Sequence, residues 1–236
     1  MVLAAGLGKR LRPITDRLPK PLVTVGEQTL IDRTLDRFDE AGVTKVVVNT
    51  HHLSHLVEQH LRQRKKPAIL LSPEETLLET GGGIAHALPL LGPNPFFAAN
   101  ADVMWLNGYE SALLRLARRW DAGEMDALLL LHATVYAFGY TGRGDFLIDP
   151  LGRLTRRPES EDCPYLFAGV QILHPRLFKN VPKGPFSLNL LYDRAIEDGR
   201  LYGLIHDGEW FHVGTPEGLA EAETYLNIRW PETRRR

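Results

Sequence analysis

At 236 residues, 44% hydrophobic and 24% charged, the chain has an ordinary globular composition and enough length to bury a sizeable core. A net charge of −1 leaves no footprint for nucleic acid or an anionic membrane, and no apolar run approaches the ~20 residues of a membrane span. The single Cys163 excludes an internal disulfide framework and fits a reducing cytosol, so a cytoplasmic location is expected.

Strand-like and helix-like segments alternate along the first 135 residues. Met1–Ala5 reads as a short apolar strand running into Gly6. It begins at the first residue, which points to a shortened or re-started N-terminus. Residues 29–41 read as a helix, with Leu30, Ile31, Leu35 and Phe38 at helical spacing and Gly42 as a stop. Lys45–Thr50 is a β-branched strand, 53–64 a helix, and Ala68–Ser72 a strand. Residues 80–90 open on three glycines and become a helix. Phe96–Asn100 is an apolar strand, 108–122 a helix, and Ala127–Ala133 a fully buried strand. This β-α-β-α order predicts an α/β fold: a mixed, mostly parallel central sheet flanked by helices on both faces.

The last hundred residues are less regular. Residues 143–157 predict a hairpin around Pro150–Gly152, Leu166–Leu173 a strand, and 187–198 and 215–228 helices. The tail Trp230–Arg236 reads as frayed. His51, His52, His55 and His60 form a dense run; with no cysteine nearby, they read as a solvated helix face rather than a zinc site.

Residues 3–13, LAAGLGKRLRP, are a strand feeding a glycine loop, an arrangement whose exposed backbone N–H groups cradle phosphates. Two familiar loops fail on inspection. The dinucleotide fingerprint needs a third glycine where Leu11 stands. The P-loop needs glycine at Leu3 and a hydroxyl residue at Arg10. What remains is a cation-dense loop of Lys9, Arg10 and Arg12, followed by Lys20 in a proline-stiffened segment.

These residues, with PKPL (Pro19–Leu22), resemble the signature of the nucleotidyltransferases that make nucleotide sugars from a nucleoside triphosphate and a sugar 1-phosphate. The resemblance extends to Glu79–Leu91, Asn100–Val103 and Val213–Glu223. It implies a Rossmann-like (GT-A-like) nucleotidyltransferase fold, a single domain over 1–236. Residues 1–135 would form its nucleotide-binding half and 136–236 its sugar-phosphate-binding half. Within the family, Ser72–Ile84 is most similar to the N-acetylmuramate-1-phosphate uridylyltransferases of cell-wall recycling, with UTP as donor. Mannose-1-phosphate guanylyltransferases are the neighbouring alternative. A non-catalytic nucleotide-sugar sensor is a rival of another class, opposed by the joint retention of Arg10, Lys20 and Asp102. The expected partners are the nucleotide and the sugar 1-phosphate, not nucleic acid or membrane, for a monomer or small homo-oligomer.

The reaction brings two anions together, so positioning and charge stabilisation should supply most of the rate. The Arg10 fork suits the β- and γ-phosphates and the compact Lys20 charge suits the α-phosphate, assignments the resemblance supports. Ala4, Ala5, Gly6 and Gly8 would add backbone contacts, Ser72 and Leu78 would line the base pocket, and Gly83 and Asn100 join the nucleotide side. Asp102 follows an apolar strand at its carboxyl end, where open α/β sheets bind ligands; a carboxylate there is a natural Mg²⁺ ligand, or plainly a turn or cap aspartate. Glu79 is expected near the sugar hydroxyls, with Gly169 on the same side, and Asn189 either binds sugar or caps a helix. Two departures stand out. Where many members carry Glu-Lys-Pro for the sugar phosphate, this chain has Arg156-Arg157-Pro158, which leaves Arg157 as the expected phosphate ligand. Where many carry Asp before the late Gly-Thr, it has His212, expected to bind the metal directly or through water, or to hydrogen-bond a phosphate.

Overall fold

The computed structural model describes residues 1–229; the Trp230–Arg236 tail lies outside them. In chain order the elements are β1 (Val2–Leu3), β2 (Thr24–Val25), β3 (Gln28–Thr29), α1 (Leu30–Glu40), β4 (Lys45–Thr50), α2 (Ser54–Leu61), β5 (Ala68–Pro73), α3 (Glu79–Leu91), β6 (Phe96–Asn100), β7 (Val103–Trp105), α4 (Ala112–Arg119), β8 (Ala127–Ala133), β9 (Phe146–Ile148), β10 (Leu154–Arg156), β11 (Tyr165–Leu173), α5 (Asn189–Glu197), β12 (Leu201–Ile205), β13 (Trp210–His212) and α6 (Pro216–Arg229). The strands expected from apolar runs keep their places, except that the first shrinks to two residues. The helix expected over 108–122 starts only at Ala112. β2, β3, β7, β12 and β13 are additions.

Local chemistry explains several boundaries. The Thr29 hydroxyl accepts the Asp32 amide at 3.2 Å, capping α1. Beyond the helix, Gly42 at φ 80° lets the Val43 amide turn back to the Phe38 carbonyl. In the β9–β10 hairpin, Asp149 Oδ1 accepts the amides of both Leu151 and Arg153 at 2.8 Å.

The main sheet runs β5-β4-β1-β6-β11, with β8 and then β12 continuing beyond β11, and β9-β10 leaving its other end. Strands β5, β4, β1 and β6 are mutually parallel, and β12 is parallel to β8. Among the described strands of this sheet, only β10 and β11 run the other way. Alternation sorts the side chains of each strand onto two faces. Val46 and Val48 pack with Ile31, Phe38, Val57 and Leu113 of α1, α2 and α4; Val47 packs with Ile84 and Leu191 of α3 and α5. A third cluster holds α6 and the β7–β13 ribbon against Val23, Val25 and Leu30.

Of the histidine run, His55 is exposed on α2 as a solvated face predicts, but the other three are partly buried and bonded. His51 donates to the Glu74 carbonyl at 2.9 Å, His52 to the Thr15 carbonyl at 3.1 Å, and His60 to Asp32 at 2.7 Å. His51 and His52 precede α2 and tie loops together, while His60 on α2 joins that helix to α1. Among the described residues, no helix is long and apolar enough to cross a membrane.

Candidate active site

Because β1, β4, β5 and β6 are parallel and in register, their carboxyl ends share one edge. Ala4, Asn49, Ser72 and Asn100 sit there with the loops that follow. A cleft opens at this edge, lined by Ala4, Gly6, Gly8, Lys9, Arg10, Lys20, Asp102 and Gly214. Gly8 adopts φ 62°, a left-handed turn that L side chains rarely take, and this starts the short 3₁₀ turn carrying Lys9 and Arg10. Lys9 and Arg10 are exposed; Lys20 is buried. Ala5 is buried and does not line the cleft.

Lys20 Nζ lies 2.9 Å from Asp102 Oδ2. Burial pushes the Asp102 carboxyl up, but Lys20, with His212 and Arg10 beyond it, outweighs that and holds it below the usual carboxylate range. His212 pairs with Val103 across the β7–β13 ribbon, which brings it beside Asp102. Its ring stacks on Trp210 at 6.0 Å between centroids and folds over Gly214. Burial, helped by Lys20 and Arg10, holds this imidazole below its ordinary value against the pull of Asp102, which favours its neutral form. A second hollow next to the cleft shares Arg10 with it and is walled by His212, Tyr140 and Thr215.

One carboxylate and one neutral imidazole fit a divalent cation that completes its shell with water and phosphate oxygens. Among the described residues, no group of three such side chains forms a complete protein cage for a metal.

Asn100 ends β6 beside Gly169, which has φ 79° at an irregularity where β11 shifts register against β8. Leu78 and Glu79 open α3, Glu79 with φ 59°. The glycines behind them do not offer free amides. The N–H groups of Gly81 and Gly82 donate to the Phe186 carbonyl at 2.9 and 3.1 Å. A Cβ on Gly81 would stand 2.3 Å from the Phe186 ring, so this glycine serves close packing of segment 186–188 on the helix start. Gly83 is buried against Glu74 and Asn49.

Arg157, the expected phosphate ligand, is engaged by the protein itself through Nε and Nη1. Its guanidinium donates to the carbonyls of Gly144, Pro158, Glu159 and Glu161, at 2.8–3.2 Å, and so clamps two loops together. Arg156 is equally occupied, by Asp193 at 2.6 Å and by Asn189. Asn189 neither caps a helix nor stands free: its amide is itself capped by the Ser187 hydroxyl at 3.3 Å, and its side-chain oxygen accepts from Arg156.

Sequence reasoning missed Asn49 and Glu74. Asn49 Oδ1 accepts the Ala4 amide at 2.8 Å, so this amide is not free for a ligand. Asn49 Nδ2 donates to Glu74 Oε1 at 2.7 Å, and Glu74 Oε2 accepts the Leu78 amide at 2.9 Å. The available signal was a polar residue closing each of two apolar parallel strands.

The sequence matches the family described as nucleotidyl transferase over residues 1–227. The chain belongs to the nucleotidyl transferase family. It is 43% identical to an N-acetylmuramate alpha-1-phosphate uridylyltransferase of Caulobacter vibrioides, over 96% of both chains. A protein of the same name from Neisseria meningitidis serogroup B is 35% identical over 94% of this chain and 96% of its own. The mannose-1-phosphate guanylyltransferase catalytic subunit beta of Danio rerio is more distant, 28% identical over 92% of this chain and 61% of its own. Among solved structures, a UDP-glucose pyrophosphorylase complexed with UDP-glucose superposes with a TM-score of 0.77 at 18% identity, covering 97% of each chain. This nucleotidyl transferase therefore shares its Rossmann-like fold with sugar-nucleotide enzymes.

Proposed function

We propose that this enzyme transfers the uridylyl group of UTP to N-acetylmuramic acid 1-phosphate, releasing pyrophosphate, in cytoplasmic recycling of cell-wall sugars. The substrate pair rests on the two uridylyltransferase relatives that match nearly end to end. The chemistry rests on one observation: Arg10, Lys20 and Asp102 converge on a single cleft at the carboxyl edge of the parallel strands.

An oxygen of the sugar phosphate forms a bond to the α-phosphorus as the bond to the β-phosphate bridge breaks. Arg10 would bind the β- and γ-phosphates through its fork, and the buried Lys20 ammonium would neutralise charge building on the α-phosphate. Asp102 and the neutral His212 would hold Mg²⁺, His212 directly or through water. A bound Mg²⁺ would supply charge screening between the two phosphates. Residues 1–135 would thus serve the nucleotide. Residues 136–236 would serve the sugar phosphate, with Arg157 shaping the loops rather than binding the anion.

The test is pyrophosphate release with each of four nucleoside triphosphates against several sugar 1-phosphates in Mg²⁺. UTP with N-acetylmuramic acid 1-phosphate is expected to be fastest. A preference for GTP with mannose 1-phosphate would overturn the substrate assignment.

A further inference from the structure

Asn49 and Glu74 are 2% and 6% exposed, and together they link two segments that are remote in sequence. Starting at Ala4, which lines the cleft just before the glycine loop, hydrogen bonds run through the Asn49 carboxamide and the Glu74 carboxylate to the amide of Leu78 at the start of α3. The Glu74 backbone is fixed too, its amide donating to Thr50 at 2.8 Å and its carbonyl accepting from His51. Among the described residues, no cation pairs with this carboxylate. Burying a carboxylate without a cation is costly, and an apolar pair could join the same strands more cheaply if cohesion were the only need. A carboxylate has a property that no apolar pair has: its two oxygens accept from two N–H donors along fixed directions. Room for the pair depends on Gly83, where a Cβ would stand 2.7 Å from Glu74 Oε1 and 2.9 Å from Asn49 Nδ2.

We propose that Asn49 and Glu74 are positioning residues that set the separation between the two walls gripping the nucleotide. One wall is the exit of β1 toward the phosphates; the other is the Leu78–Glu79 turn toward the base. The proposal rests on the uridylyltransferase reading for which ligand the walls hold.

The polarity of the chain makes a sharp test. Glu74→Gln sets a donor against a donor at Asn49 or Leu78. Asn49→Asp sets a carboxylate 2.7 Å from Glu74 Oε1. The double exchange Asn49→Asp with Glu74→Gln restores every contact with donor and acceptor reversed at the middle bond. Each single variant is expected to raise KM for UTP about tenfold or more, the loss typical of a charged buried hydrogen bond. Turnover at saturating UTP should stay within about threefold, the pattern of lost ground-state positioning, with KM for the sugar 1-phosphate unchanged. The double variant should return KM for UTP close to wild type. Where a single variant does not fold, Gly83→Ala takes its place, since it wedges the pair apart without changing its charge, and it should raise the same KM. Reduced thermal stability with a wild-type KM for UTP would mark the pair as merely structural and overturn the proposal, as would a double variant no better than the singles. A wild-type protein inert with UTP and N-acetylmuramic acid 1-phosphate would instead overturn the activity reading.

Discussion

His206 is expected to make this protein sensitive to mild acid. Its side chain lies at the end of β12, is 5% exposed, and donates through Nε2 to the Leu106 carbonyl at 3.1 Å. Its Nδ1 is buried with no hydrogen-bond partner, and the nearest carboxylate oxygen, on Asp207, is 4.0 Å away. Burial first, and then the neighbouring His132, lower its pKa from 6.5 to about 4. The native state therefore resists a proton that the unfolded chain takes up near pH 6.5. Stability is fully present above 6.5 and falls as pH drops toward 4, at about 1.4 kcal/mol per pH unit. Between pH 7.5 and 4.5 this group alone should remove about 2.5 kcal/mol, a large share of a typical 5–15 kcal/mol. His206→Gln keeps a donor for Leu106 and does not titrate. Urea unfolding followed by tryptophan fluorescence at the two pH values measures the effect, since the histidines other than the neighbouring His132 contribute equally to both proteins. The wild type should lose about 2.5 kcal/mol more than His206→Gln over this window. Equal losses would refute the assignment.

Two further outcomes follow from the site. Lys20→Met retains the apolar stem and removes the ammonium facing Asp102, so kcat at saturating substrates should fall about 10²–10³-fold, and near wild-type turnover would remove Lys20 from the chemistry. Arg157→Lys should be as damaging as Arg157→Ala, because one ammonium cannot span the four carbonyls that the guanidinium holds. Faster proteolysis within residues 140–163 of both variants is the readout, and rescue by lysine would refute the clamp.

The parallel half of the sheet was legible because its strands are unbroken apolar runs separated by helical periodicity, as in Lys45–Thr50 and Ala127–Ala133. β12 was not, since Gly203 interrupts it, and β7 and β13 are three-residue strands that form a ribbon outside the main sheet. The glycine loop and its cations were visible as a group because they lie within a few residues of one another. The Asn49–Glu74 link was invisible as a pair because one member lies on β4 and the other just after β5. The loop clamp made by Arg157 was invisible for a related reason: a charge in the expected slot does not disclose what its hydrogen bonds are already doing. The three glycines of α3 invited a ligand, but Phe186, Gly184 and Glu74 in turn occupy the space that their missing side chains leave.

The position of β11 bears on the order in which the chain can be assembled. β8 belongs to the first 135 residues, yet its only sheet neighbours among the described strands are β11 and β12, which come more than 30 residues later. During synthesis from the N-terminus, β5, β4, β1 and β6 can pair as they emerge, while the seven residues ALLLLHA wait with both edges bare. Such a strand invites pairing with other nascent chains until residues 165–205 arrive to flank it. The last-made third of the molecule therefore supplies only β11 and β12 of the nine strands in the sheet that carries the cleft, yet those two cover both edges of β8.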